Sequence, residues 1–357
     1  MVSLLRISGG TALALGAAFG LLACEKVKEL VGSVERAAEA GPAQATGTPA
    51  DPALAALVQR DSGGLVMRKD LPLPASFRVD WERWDEMTNI RMANFGAVPG
   101  KPGELDSETL AARKFFAKAT IQRVTPERYT LTIPPLPVIA PAKDAAENAP
   151  PPPAISTGEA LAGSTVTLVR RDGAWQVERP RGAVDFKALN WGDNLCGAFD
   201  SLLRHSNMTT APRWLAATPL LPGKEIPFAG EDLAILLGMP ASGELRLRYE
   251  GEETVAGHPC AAFSVTGSYQ TVPTLQWHGQ WESEQMTVDS GRVFLSALYP
   301  LVVRLDFSGI VSLSVWSGGS GQGRPTATIQ GTTHRTLTAV PVFPEGWSPS
   351  PESRPGS

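Results

Sequence analysis

The chain has 357 residues, of which 43% are hydrophobic and 19% charged, a mixture typical of folded globular proteins. Its formal net charge of −4 argues against a surface that binds nucleic acid. With only 3 cysteines and 4 histidines, the sequence excludes a disulfide-dense scaffold and a four-cysteine zinc site, and a histidine-rich metal centre is not expected.

The N-terminus, residues 1–23, predicts an export signal. Its apolar stretch, residues 11–22, is shorter than the roughly 20 residues of a membrane-spanning helix. The stretch ends in the sequence Leu-Leu-Ala-Cys, which resembles the lipobox of bacterial lipoproteins. The resemblance implies cleavage before Cys24, a diacylglycerol on its sulfur and a fatty acyl chain such as palmitate on its amine. By the same resemblance, Glu25 implies sorting to the outer membrane, with the protein facing the periplasm.

Two cysteines remain after the lipidated one, and an exported protein folds in an oxidising compartment. A disulfide between Cys196 and Cys260 would close a long loop and contribute roughly 4 kcal/mol in the chain-entropy model. The sequence favours this disulfide, and two buried free thiols are the alternative.

The mature chain divides by composition into a tether, two lobes and a tail. The tether, residues 24–64, begins with an amphipathic helix over 25–39 and continues as an alanine- and proline-rich spacer. An α+β lobe is predicted over residues 65–190 and a mainly β lobe over 191–345, followed by a disordered tail, residues 346–357.

The first lobe mixes helical and strand patterns. Apolar spacing predicts helices over 81–95 and 106–119, and alternation predicts a strand over 120–133. Residues 134–153 contain 8 prolines and predict an extended loop. An Asp-Gly turn between two alternating runs predicts a hairpin over 164–179.

The second lobe begins with a predicted helix over 184–204 and is almost purely β from residue 243 onward. Strands are predicted at intervals of about 10 residues, which favours an antiparallel meander, sandwich or open barrel. The last six of these strands are Trp277–Val288, Arg292–Leu298, Val302–Phe307, Val311–Trp316, Thr326–Gly331 and Thr333–Val340. The predicted fold class is therefore α+β, mainly antiparallel sheet, with a few helices in the N-terminal half.

The chain lacks the standard catalytic motifs, including metalloprotease, nucleotide-binding and serine-hydrolase signatures, so no enzyme activity and no cofactor are predicted. The best remaining candidate for a ligand site is a run of aromatic, histidine and acidic residues: Trp277, His278, Trp281, Glu282 and Glu284. On a strand, the histidine and carboxylates share one face and could bind a cation or a sugar, with the tryptophans opposite. The alternative is an amphipathic strand with tryptophans in the core and carboxylates in water.

Three function classes follow from these patterns. The first is a non-enzymatic, membrane-anchored lipoprotein that binds an envelope partner or has a structural role. The second is a carrier or sensor of a lipid or other hydrophobic ligand, because the predicted architecture is similar to that of periplasmic lipoprotein carriers, which wrap a curved sheet on a helix. The third is an enzyme that acts on glycans, using Glu282 or Glu284.

Overall fold

The computed structural model describes most of the chain after residue 49. The described residues are 50–68, 71–94, 106–110, 112–132, 163, 165–172, 174–178, 219–275, 281–316, 321 and 323–347. Several sequence predictions lie outside them: the export signal, the lipidated Cys24, the helices 25–39 and 184–204, the proline-rich loop, Cys196, Trp277, His278 and residues 348–357.

Strands dominate the described part of the chain. They are β1 Gln59–Asp61, β2 Gly64–Val66, β3 Phe77–Asn94, β4 Asp106–Leu110, β5 Arg113–Thr125, β6 Arg128–Thr132, β7 Thr165–Arg171, β8 Ala174–Glu178, β9 Glu225–Ala229, β10 Ala241–Val255, β11 His258–Thr271, β12 Thr274–Leu275, β13 Trp281–Ser296, β14 Val302–Trp316 and β15 Ala327–Val342. The helices are α1, Pro52–Ala55, and α2, Glu231–Leu237. Within the described ranges, neither helix has the length and apolar character needed to cross a bilayer.

One large antiparallel sheet runs through both predicted lobes. Its strand order is β8-β7-β6-β5-β3-β15-β14-β13-β11-β10-β9, with β4 also paired to β3 and β12 to β13. The path ends at β8 and β9, so the sheet is open and does not close on itself. The mainly antiparallel β class predicted from the sequence is confirmed, and the arrangement is two meanders joined where β3 pairs with β15.

The long strands replace pairs of shorter predicted strands. Sequence alternation breaks near Asp289, and this break predicts two strands, Trp277–Val288 and Arg292–Leu298. In the structure, Asp289 is the extra residue of a bulge within β13, between Val288 and Ser290. A second bulge at Asn89 of β3, where φ is 53°, interrupts that strand in the same way. Because a bulge bends its strand and keeps the pairing on both sides, each strand continues where the sequence pattern stops.

The two helices predicted in the first lobe are wrong. Residues 81–95 fall largely in β3, and residues 106–119 form β4 and the first part of β5. In β3 the alternation is hidden because charged Arg83 faces the core, whereas Trp84 faces the other side of the sheet. The strand therefore lacks the simple apolar and polar alternation by which strands are recognised.

The main core lies on one face of the sheet, which we call the inner face. Buried side chains from nearly every long strand contribute to a single apolar cluster, together with α2. Its members include Val79, Ile121, Leu131, Val166, Leu245, Phe263, Met286, Val293, Phe307 and Leu337. The opposite, outer face carries mostly polar residues, apart from a small cluster near one end of β11, β13 and β14.

Segments from both ends of the described chain cover one end of the sheet. Residues 50–64, predicted to be part of a flexible spacer, contain α1, β1 and the start of β2. Leu54 packs against the cluster around Tyr299, as does Trp347 from the predicted tail. The Trp347 ring lies 4.6 Å from that of Phe343. The folded region therefore begins earlier and ends later than the composition predicted.

Cys260 lies in the outer-face cluster as a free, buried thiol. The structure shows no disulfide at this residue, so Cys260 fits the free-thiol alternative rather than the predicted bridge to Cys196. Its Sγ donates a hydrogen bond of 3.4 Å to the carbonyl oxygen of His258. Burial raises the pKa of this thiol well above its usual value, because the thiolate would lose its hydration.

Candidate functional site

A network of charged side chains interrupts the apolar inner face. Arg335 of β15 makes a two-pronged interaction with Glu284 of β13, with Nη1–Oε1 and Nη2–Oε2 distances of 2.7 Å each. The Nε of Arg335 also donates to Asp85 Oδ1 of β3 at 2.8 Å. The second oxygen of Asp85 accepts from Arg83 Nε and Nη2 at 2.8 and 2.6 Å. Two cations and two anions thus form one connected, neutral group.

Arg335 and Glu284 lie on the two strands that flank β14, and their side chains meet diagonally across its inner face. The β14 partner of Arg335 is Phe307, and the β14 partner of Glu284 is Leu313. By strand alternation, Gly309 is one of the two β14 residues between them on the same face. Gly309 has no side chain and cannot have one, because an added Cβ would lie 1.9 Å from the Thr287 carbonyl oxygen.

The carboxylates of this network are held in their ionised form. Burial would raise the pKa of Glu284, but the charge and hydrogen bonds of Arg335 and a hydrogen bond from Tyr269 lower it to about 2. The Tyr269 hydroxyl donates to Glu284 Oε1 at 2.6 Å. For Asp85, burial is likewise opposed by Arg335 and Arg83, which lower its pKa below the ordinary value. Both carboxylates are therefore poor proton acceptors near neutral pH.

The network is not sealed from solvent. The side chains of Glu284, Arg335 and Asp85 are 15–16% exposed, and that of Arg83 is 31% exposed. Solvent therefore reaches these charges, although the apolar residues around them, such as Met286 and Val288, are buried. Every charge of the network already has a partner within it.

The sequence-predicted site residues separate in the structure. Glu284 joins the inner-face network, and Glu282, two residues earlier, is half-buried on the same face of β13. Trp281 is half-buried on the opposite face, so the predicted division between carboxylates and tryptophan holds for these three residues. The carboxylate face is nevertheless the core face, which differs from the alternative that placed the tryptophans in the core.

The residues that join Glu284 in this network are not predicted from the sequence. Asp85, Arg335 and Tyr269 come from three other strands, and Asp85 and Arg335 are 250 residues apart. The one signal available is the two-residue spacing of Arg83 and Asp85. That spacing places both charges on one face only if the segment is a strand.

A second polar cluster, on the outer face, was also missed. Ser308 Oγ of β14 lies 2.7 Å from His334 Nδ1 of β15. His334 Nε2 lies 3.6 Å from Asp306 Oδ1. Arg304 Nη2 donates to the other oxygen of Asp306 at 3.1 Å, and the Thr336 hydroxyl lies 3.5 Å from Oδ1.

Comparisons with known proteins do not assign a family or a function to this chain. No protein-family model matches the chain, and no characterised protein matches it in sequence. Among the residues that the structure describes, His, Cys, Asp and Glu form no group of three that could hold a metal ion. The two polar clusters are therefore assessed on their own geometry.

Proposed function

We propose that this chain is an exported, lipid-anchored binding protein of the cell envelope, and that the inner face of its open sheet binds an amphiphilic ligand. The sequence Leu-Leu-Ala-Cys at residues 21–24 supports the anchor, with lipids on Cys24 and the folded part held at the periplasmic side of the outer membrane.

The observation that carries the binding proposal is the charged network within the apolar inner face. An apolar ligand alone would gain nothing from Arg335 and Glu284, and a purely polar ligand would gain nothing from the core residues around them. A ligand with an apolar body and a charged or zwitterionic head matches both. The paired state of the carboxylates supports a non-enzymatic role at this face.

Native mass spectrometry tests this proposal directly. The full chain is exported, purified in mild detergent, and its bound lipids are extracted and identified. We expect about one non-covalent amphiphile per chain. Exchange of Arg83 for glutamine should reduce this occupancy, because it removes the most exposed charge of the network.

Arg78 provides the matched control. It lies on the same strand as Arg83, pairs with Asp80 at the same two-residue spacing, and faces the outer side of the sheet. The Arg78→Gln variant should keep the ligand that Arg83→Gln loses. A wild-type protein without bound amphiphile, or equal losses in the two variants, contradicts the proposal and favours an envelope protein as the partner, which crosslinking in cells would identify.

The anchor has its own test. Replacement of Cys24 by alanine should abolish incorporation of labelled palmitate and release the protein from the membrane fraction. Retention of label in the Cys24→Ala variant would show that the lipobox resemblance is coincidental.

A further inference from the structure

The outer-face cluster has the contacts of an activated serine. In the neutral histidine ring, one nitrogen carries a proton and the other accepts one. His334 Nε2 faces Asp306 Oδ1 and His334 Nδ1 faces Ser308 Oγ, at 3.6 and 2.7 Å. The carboxylate favours the proton on Nε2, which leaves Nδ1 free to accept the serine proton. Nucleophile, base and orienting acid are thus in the order that serine activation requires.

The orienting carboxylate is itself fixed. Arg304, whose side chain is 8% exposed, donates to Asp306 Oδ2, and the Thr336 hydroxyl lies 3.5 Å from Oδ1. The Trp84 ring packs edge-on against the His334 ring, with centroids 5.4 Å apart. Glu86 is the register partner of His334 on β3, which places a second carboxylate on this side of the sheet. Asp306 would stabilise the imidazolium that forms when the serine is deprotonated.

Ser308 also lies next to an irregularity in the sheet, in a cluster that solvent can reach. Its register partner on β13 is Ser290, directly beside the Asp289 bulge, where the ladder is disrupted. The side chain of His334 is 41% exposed and that of Asp306 is 26% exposed, so a small electrophile can reach the cluster from solvent.

We propose that Ser308 is a reactive nucleophile that accepts acyl groups from carboxylic esters, with His334 as its base and Asp306 as a positioning residue. Ser308 Oγ bonds to the acyl carbon, the ester C–O bond breaks, and the serine proton passes through His334 Nδ1 to the departing alcohol. Water then attacks the acyl-serine, its proton returns to Ser308 Oγ through the same nitrogen, and the carboxylic acid leaves. This reactivity is independent of ligand binding on the inner face.

A fluorophosphonate probe tests the proposal, because it traps activated serines with loss of fluoride. The full-length protein is incubated with the probe, digested, and mapped by mass spectrometry. We expect the phosphonyl group on Ser308 in the folded protein and not in protein unfolded in urea. Exchange of His334 for glutamine should slow labelling on the order of 100-fold, the usual contribution of a general base.

Ser314 is the matched control. It lies on the same strand and face as Ser308, and its register partners are Ser283 and Thr328 rather than a histidine. The Ser314→Ala variant should label as the wild type does, whereas Ser308→Ala should not label at this peptide.

Two outcomes overturn the proposal: no label on Ser308 in the folded wild type, or labelling of equal rate in His334→Gln. If that variant does not fold, the wild-type pH profile decides. A labelling rate that depends on a single histidine-like ionisation supports the proposal, and a rate independent of pH between 5 and 8 overturns it.

Discussion

Exchange of Glu284 for glutamine removes the central anion of the inner-face network and keeps its shape. The pKa of Glu284 lies at about 2 in the folded protein, against an ordinary value of 4.5. At 1.36 kcal/mol per pKa unit, this difference of about 2.5 corresponds to about 3 kcal/mol of folding free energy at neutral pH. Removal of one partner from a buried ion pair is expected to lower the free energy of unfolding by a similar amount. We therefore expect Glu284→Gln to lower the free energy of unfolding by about 3 kcal/mol at pH 7.

The pH dependence gives a second, independent measure. Because the folded pKa is depressed, the stabilisation is fully present above pH 4.5 and is lost as the pH falls toward 2. At pH 3 the gap between wild type and Glu284→Gln should narrow to about 1 kcal/mol. Urea unfolding followed by tryptophan fluorescence at pH 7 and pH 3 measures both gaps.

Glu178 serves as the control for this experiment. It also makes a two-pronged interaction with an arginine, Arg128, at 3.1 and 2.7 Å, but both side chains are at least one-third exposed. The Glu178→Gln variant should change stability by less than about 1 kcal/mol, because solvent screens the pair. If Glu284→Gln costs no more than Glu178→Gln, or if its deficit is the same at both pH values, the reasoning on the buried network is refuted.

Three further predictions concern single positions. Cys260 should resist alkylation in the folded protein and react once urea unfolds it, because its thiol is buried; rapid reaction of the native protein would contradict this. Burial lowers the pKa of His258 to about 4 from 6.5, so the free energy of unfolding should fall by about 3 kcal/mol as the pH drops from 6.5 to 4. The His258→Leu variant should not show this fall in the free energy of unfolding. If the variant and the wild type lose stability equally over this pH range, His258 is not the group responsible. Gly309→Ala should unfold or aggregate, because its Cβ would overlap a backbone oxygen. Gly323→Ala has open space around it and should lose only about 1–2 kcal/mol of stability from its positive φ. Similar melting temperatures for the two variants would refute this prediction.

The sequence predicted the fold best where the two faces of a strand differ in polarity. In β10, buried Leu245, Leu247 and Tyr249 alternate with exposed charged residues, and the strand was recognised from that pattern. The hairpin of β7 and β8 was predicted from its Asp-Gly turn, whose Asp172 has a φ of 52°. Local rules suffice in these elements because burial and turn geometry are decided by neighbours in sequence.

Prediction was wrong where distant residues decide the structure. β3 places charged Arg83 and Asp85 on the core face, which is tolerable only because Arg335 arrives from the other end of the chain. The same holds for the candidate site. The sequence pattern of its own strand predicts Glu284 as a site residue, but nothing near Glu284 in the sequence predicts its partner Arg335. Likewise, Ser308 and His334 are adjacent only through the register of β14 and β15.

The pairing of β3 with β15 sets a constraint on folding order. Until β15 is available, β3 has an unpaired edge along its whole length, and such an edge is prone to pair with other chains. The inner-face network also stays incomplete until then, which leaves Asp85 without Arg335. Because this contact joins residues 250 positions apart, the sheet belongs to the slow-folding, high-contact-order class. Because β3 is synthesised long before β15, the topology itself requires that this edge of β3 be protected in the meantime.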